Sequence, residues 1–316
     1  GATGDNYHDT VTNCTMNNGS VGIILTAPAR YNYGVVFTNN TMNNQYFAGI
    51  YHTWANSSGN PVVMSGNTIT TNTSYTGFYG IYCTSSSSML QYFNKNKVLN
   101  PNGGYGIYNT NTVAAGSQCN NNMLMVGGSS TCYPLYISGG NWNIYNNSTM
   151  AASSLVGTYY SAYLPSSPNT IRHNIFAVSG GNACIYSPSA NSVDSNIYYT
   201  TGATFGSNGT TYATFAAWKA AMPTRDLASI HSNPNFVSNT NLHLTGSSPA
   251  YTINTHPMIV DDIDNLPRCG TSQAGCDHLG GNNDIGIASL IYPPNGVASA
   301  GSQTIKVLLK NFGTNT

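Results

Sequence analysis

Apolar residues recur along the chain in a fixed six-residue frame, apolar-x-x-Asn-x-apolar. Copies lie at 37–42, 64–69, 93–98, 119–124, 144–149, 171–176 and 193–198, and a degenerate first copy at 11–16 carries Cys14 where Asn is expected. The key positions 14, 40, 67, 96, 122, 147, 174 and 196 are separated by 26, 27, 29, 26, 25, 27 and 22 residues. A second phrase runs between the copies at the same period. It reads Gly22-Ile23-Ile24, Gly49-Ile50-Tyr51, Gly80-Ile81-Tyr82 and Gly106-Ile107-Tyr108, then loosens to Pro134-Leu135-Tyr136, Ser161-Ala162-Tyr163 and Cys184-Ile185-Tyr186. Two phrases locked to one period mean one structural unit repeated about eight times. Its runs are short, β-type and separated by Gly, Asn, Ser and Thr, with no helical periodicity.

A unit of this length cannot bury its own apolar face, so it stacks on its neighbours. The expected fold is all-β, a right-handed parallel β-helix of about eight coils. At about 4.8 Å per rung, the rod would be roughly 35–40 Å long. The Asn residues Asn40, Asn67, Asn96, Asn122, Asn147, Asn174 and Asn196 are expected to sit at sharp corners. There Asn tolerates left-handed backbone and stacks into a hydrogen-bonded ladder. Over about residues 11–206 the pattern resembles the right-handed parallel β-helix repeat (pectate-lyase-like) superfamily. That resemblance implies fold more than function, since the same fold carries lyases, hydrolases, adhesins and phage spikes.

Strand alternation gives each coil an inside and an outside. In the second phrase Ile23 and Leu25, Leu135 and Ile137, and Ala162 and Leu164 point inward. The residue between them points out: Ile24, then Tyr51, Tyr82, Tyr108, Tyr136, Tyr163 and Tyr186. Six tyrosines are thus expected in one outer column. In-register aromatic neighbours stabilise a sheet, and flat rings with hydroxyl handles also suit sugar rings.

The rhythm breaks after residue 206. The run 214–222 reads as a short helix, with Thr214 as N-cap and Pro223 ending it. Next come Asp261-Asp262-Ile263-Asp264-Asn265-Leu266-Pro267-Arg268 and Asp284-Ile285-Gly286. This succession resembles the closing segment of secreted bacterial β-helix proteins of the Bacteroidetes type. In those a Phe-x-x-Trp helix and an Asp-x-Asp-Gly-x-Pro-Arg run finish the rod, and Asn265 here stands in place of the Gly. The segment 207–290 is therefore expected to cap the last coil and hide its open edge. A Pro-rich linker then leads to an alternating stretch, 303–313, which resembles the first strands of immunoglobulin-like modules. The expected organisation is coils over 1–206, cap over 207–290, and linker with the first Ig-like strands over 291–316. The worn first coil suggests further coils upstream.

Composition narrows the chemistry. Charged residues are 6% of 316, net charge is zero, and all nine acids are Asp. Nothing there favours nucleic acid or an anionic membrane, and no apolar run is long enough to span a bilayer. The polar, uncharged surface fits an extracellular or bacterial cell-surface protein. Of seven cysteines, Cys269 and Cys276 form the tightest pair and could close a disulfide across a Gly-containing loop. Cys83, Cys119 and Cys184 fall at inward positions that suit small buried thiols. Asp261, Asp262 and Asp264, with Asp277 or Asp284, could ligate Ca²⁺; the competing reading is a turn whose carboxylates cap backbone groups and pair with Arg268. Otherwise no cofactor is implied. Glycosylation sequons begin at Asn39, Asn56, Asn72 and Asn146, and Asp9-Thr10-Val11 resembles the Bacteroidetes O-glycosylation motif at Thr10.

Two carbohydrate chemistries are common on the fold. Lyases need acidic Ca²⁺ ligands and a base, and hydrolases need clustered carboxylates. Across residues 11–206 the sole acid is Asp194, and the basic groups are Arg30, His52, Lys95, Lys97, Arg172 and His173. His173 has no visible acidic partner, and Lys95 and Lys97 read as solvated. The expectation is a non-catalytic surface rod, an adhesin or a stalk or filament component. Its partners would be a polysaccharide or cell-surface glycan, further copies of itself, or other domains of a longer chain. The alternative is a polysaccharide lyase or glycoside hydrolase with its acids outside these coils. An ice- or mineral-binding face would need Thr-x-Thr on every coil, which is absent.

Overall fold

The computed structural model describes residues 6–7, 9–27, 32–54, 60–71, 74–85, 89–188, 190–253, 256, 259–268, 273–279, 285–292 and 306–311. Each repeat contributes a short strand to each of three faces of a parallel β-solenoid. The first face stacks eight strands in sequence order, from Thr10–Thr12 through Val36–Thr38, Val62–Ser65, Gln91–Asn94, Ser117–Asn120, Trp142–Tyr145 and Thr170–Arg172 to Ser192–Asp194. The second face follows the Asn corner and carries Thr41–Asn43, Thr68–Thr70, Lys97–Asn100 and Met123–Gly128 among others. The third carries Ala48–Trp54, Phe78–Ser85, Gly104–Asn109 and Cys132–Ile137. Two long strands, Ser148–Tyr163 and Ile175–Tyr186, bend from the second face into the third. The rod amounts to about six regular turns rather than eight. Its end rungs are worn: Cys14 replaces the ladder Asn on an exposed first coil, and the last coil merges with the cap.

The two apolar positions of the frame point into the lumen from adjacent faces. Phe37, Met64, Phe93, Cys119, Ile144 and Ile171 line it from the first face, and Met42, Ile69, Val98, Leu124 and Phe176 from the second. The Gly of the second phrase answers the second set. A Cβ on Gly49 would lie 2.5 Å from Ile69 Cγ2, and one on Gly80 2.6 Å from Val98 Cγ1. At the same position in a later coil stands Ser161, whose buried hydroxyl hydrogen-bonds at 2.6 Å with that of Thr149, which takes the last frame position of that coil. A polar pair is tolerated in the lumen because each partner satisfies the other.

The corner chemistry differs from expectation by one residue. The left-handed position is the residue before the ladder Asn. Asn13, Asn39, Gly66, Lys95, Asn121, Asn146, His173 and Ser195 all have φ between 52° and 70°. The ladder Asn side chains instead turn inward and are almost wholly buried. Each Nδ2 donates to the Oδ1 of the Asn one coil on, from Asn40→Asn67 (3.1 Å) to Asn174→Asn196 (3.0 Å). The same Oδ1 also accepts the backbone N–H of the preceding ladder Asn. Each Nδ2 donates a second bond to a carbonyl one coil back. The buried amide groups of the ladder Asn side chains are thereby all used, as burial demands.

The helix Phe215–Ala221 begins at Thr214, whose Oγ1 accepts the Ala217 N–H at 3.1 Å. It buries Trp218 over the last coil against Phe205. Residues beyond 235 do something the sequence did not suggest: they fold back as a strap along the second face. The outward residues there, Met123, Met125, Met150, Ile175, Ala177 and Ile197, are apolar and would otherwise be exposed. The strap covers them with Leu242, Leu244, Ala250, Ile253, Ile263, Ala274 and Cys276. Burial of apolar surface drives this docking. The boundary expected at 290/291 falls inside the strand Ile285–Tyr292, which pairs antiparallel with Lys306–Asn311, so these two strands form one hairpin.

Candidate functional site: an aromatic wall on the third face

Tyr51, Tyr82, Tyr108, Tyr136, Tyr163 and Tyr186 stand in one outer column, each half-buried and paired in register with the next. Successive ring centroids are 4.5, 5.1, 4.7, 4.9 and 4.8 Å apart and the rings are stacked. A second column, missed by strict alternation, runs beside it. Tyr79, Tyr105 and Tyr133 stack at 4.8 and 5.6 Å. They meet Tyr82, Tyr108 and Tyr136 edge-on at 4.9, 4.9 and 5.5 Å. Rings thus stack along the rod and meet edge-to-face across it, the two arrangements aromatic quadrupoles favour.

The cause is a break in alternation. Gly80 and Ile81, Gly106 and Ile107, and Pro134 and Leu135 are consecutive buried residues, so tyrosines three apart face the same side. The signal was the repeated Tyr-x-x-Tyr at 79–82, 105–108, 133–136 and 160–163. Burial among neighbouring rings raises the phenol pKa of Tyr79, Tyr105, Tyr108 and Tyr133, with the adjacent tyrosines adding to the shift, and Tyr108 reaches about 12. These hydroxyls stay protonated at neutral pH and present an uncharged surface of flat rings and O–H groups.

The acidic tail is not gathered as a Ca²⁺ cage from Asp261, Asp262 and Asp264. Asp261 pairs with Lys95 at 2.6 Å, and Asp264 pairs with Lys97 at 2.5 Å and with His243 at 2.8 Å. Asp262 is buried and caps backbone: Oδ1 accepts from the N–H groups of Asp264 and Leu266, and Oδ2 from that of His278. Lys95 and Lys97, expected in solvent, therefore anchor the strap. Arg268 reaches Asp261 through its carbonyl rather than its carboxylate, and also holds Gln273 O, Gly275 O and Asn121 Oδ1. Its five-donor fork suits such multiple clamping.

The Asp264 hydrogen bond raises the His243 pKa, and His243 together with Lys97 holds the Asp264 carboxyl well below the usual range. The His contribution is full below its unfolded pKa and fades as pH rises through the folded one. The Asp contribution is full above its unfolded pKa and is lost on acidification. Strap attachment should therefore be strongest between about pH 4 and 6.5, the two unperturbed values. Both groups are a third exposed, so the change is under about 1 kcal/mol. The protection factors of residues 236–244, taken relative to base-catalysed intrinsic exchange, should fall from pH 6 to 8; protection factors unchanged across that range would show that the pair does not hold the strap.

Other expected sites fare as follows. Cys276 is buried, its N–H donating to Ser148 Oγ, while Cys269 lies outside the described residues, so the bridge between them is not placed. Cys83, Cys119 and Cys184 are buried in the lumen, where burial raises their thiol pKa values, Cys83 to about 12. Among the sequons, Asn146 is withdrawn: it is wholly buried and donates to Gln273 O and Gly275 O. Asn39 is an exposed corner residue and Thr10 is exposed; Asn56 and Asn72 lie outside the described residues. His173 is a corner residue whose carbonyl accepts the Gly275 N–H, and burial lowers its pKa to about 4. Among the described residues, no helix is long and apolar enough to cross a membrane.

No protein-family model matches the chain, and no curated protein matches it. What the fold and the site define is a class, a parallel β-solenoid with an aromatic outer wall.

Proposed function

We propose that the chain is a non-catalytic extracellular rod, an adhesin or a stalk or filament component of a bacterial surface, that binds a glycan along its tyrosine wall. In this reading it is a distant member of the pectate-lyase-like β-helix superfamily, secreted in the Bacteroidetes manner. The two stacked tyrosine columns carry the proposal. An extended array of half-exposed rings offers stacking platforms at every rung, and the hydroxyls offer hydrogen bonds to sugar hydroxyls. The named rings of the wall are all tyrosines, with no charged side chain among them, which favours a neutral glycan. The tail carboxylates on which an enzyme reading would lean are taken up in anchoring and capping the strap.

Affinity electrophoresis through gels containing neutral polysaccharides tests this. The protein should be retarded by at least one of them. The Tyr82→Ala/Tyr108→Ala variant should bind that glycan at least about tenfold more weakly, the loss typical of aromatic hot spots. Equal retardation of both proteins would remove the wall as the binding surface.

A further inference from the structure

His243, Asp264 and Asp277 come from three separate segments of the strap, and each offers a ligand atom within 4.8 Å of the others. We propose that they form a site for a divalent transition ion such as Zn²⁺, which pins the strap into one unit. One imidazole and two carboxylates suit Zn²⁺ or a neighbouring first-row ion better than Ca²⁺, which takes oxygen ligands alone.

The supporting shell has the form such sites require. Asn241 Oδ1 lies against His243 Nδ1, which fixes that nitrogen as the N–H and leaves Nε2 as the donor atom facing Asp264 Oδ2 at 2.8 Å. Ligating histidines are held in this way through their other nitrogen. Lys97 holds Asp264 Oδ1 at 2.5 Å, leaving Oδ2 to act alone. Asp277 is 5% exposed, and among the described residues its one hydrogen bond is from the Leu244 N–H to Oδ2 at 2.6 Å. A nearly buried carboxylate placed beside a second carboxylate is costly unless something positive joins the pair. Ligands on a tetrahedral Zn²⁺ lie about 3.3 Å apart, given bonds of about 2.0–2.1 Å. Asp277 would need to move inward by about 1.5 Å at most by that geometry, and a water would complete the shell. Binding displaces the proton that His243 shares with Asp264.

The test uses the untagged chain after EDTA treatment and dialysis, titrated calorimetrically with ZnCl₂ at pH 7.5. Saturable one-to-one binding in the micromolar range or tighter is expected, with a melting midpoint raised by about 3 °C or more at saturation. Ca²⁺ should not compete, and binding should weaken at pH 5.5 as His243 takes up its proton. Co²⁺ should give the intense visible bands of a four-coordinate nitrogen–oxygen site. His243→Gln and Asp277→Asn should each lower Zn²⁺ affinity at least about tenfold; the first alters a half-exposed residue and guards against a folding defect in the second. No saturable binding below about 1 mM, unchanged affinity in both variants, or equal competition by Ca²⁺ would each overturn the site.

Discussion

Replacing Asn122 with Ala should lower the unfolding free energy by about 3–5 kcal/mol. Asn122 is fully buried at mid-ladder. Its Nδ2 donates to Phe93 O at 2.7 Å and to Asn147 Oδ1 at 2.8 Å, and its Oδ1 accepts from Asn96 N at 2.9 Å and Asn96 Nδ2 at 3.0 Å. Truncation leaves the Asn96 N–H and the Phe93 carbonyl without partners in a dry corner. Each such orphan costs about 1–3 kcal/mol, and the small cavity adds to it. The sum falls in the range reserved for broken buried networks. Asn122→Asp should be at least as harmful, because an oxygen would face Phe93 O and Asn147 Oδ1. Asn17→Ala is the control. Asn17 is exposed and accepts from Asn43 Nδ2 at 3.0 Å, so its loss should cost within about 0.5 kcal/mol. Urea unfolding of the three variants checks this, and a cost for Asn122→Ala no greater than the control would mean that the ladder does not hold the corners.

Asp226→Ala should cost about as much, through the cap. Its buried carboxyl accepts from Tyr198 Oη at 2.9 Å, Trp218 Nε1 at 2.7 Å and Ser229 Oγ at 2.6 Å. Three elements converge on it: the last inward residue of the frame, the cap helix and the turn after it. Ser229 in turn accepts the N–H of Asn196, so the ladder ends on this network. Ala would orphan the buried tyrosine and indole donors and would sit at φ +53°, a conformation costing about 1 kcal/mol or more without Asn, Asp or Gly. About 4–5 kcal/mol is expected in all. With the helix loosened, the last rung would present open backbone groups, so the variant should also self-associate on warming. Light scattering during a thermal melt reads this second effect. A monomeric variant with the wild-type midpoint would show that the cap is held by Trp218 packing alone.

The coils were legible because a solenoid places the same position of every repeat in the same environment, so Phe37, Met64 and Phe93 record one constraint three times. The Asn ladder was legible for the same reason, although its residue-level mechanics were not. The frame shows Asn at a corner but not which residue turns. That role falls one position earlier, where Gly66, Lys95 and His173 serve alongside Asn and blur the signal. The first tyrosine column followed from alternation. The second did not, since two consecutive inward residues per rung shift Tyr79 and Tyr105 to the outer side. The strap was illegible on different grounds. Its contacts, such as Lys95 with Asp261 and Arg268 with Asn121, join residues more than a hundred positions apart and occur once, so no periodicity announces them. In hindsight the outward methionines at 123, 125 and 150 were the clue, since an uncovered face would not be apolar.

The most direct test of a rod that binds without cleaving is turnover on a panel of neutral and acidic polysaccharides, with and without Ca²⁺. Unsaturated products and new reducing ends are the readouts, alongside co-sedimentation of the protein with each glycan. The account predicts co-sedimentation with at least one neutral glycan, dependent on Tyr82 and Tyr108, and no product release from any. Sustained release of unsaturated or reducing-end products would contradict it.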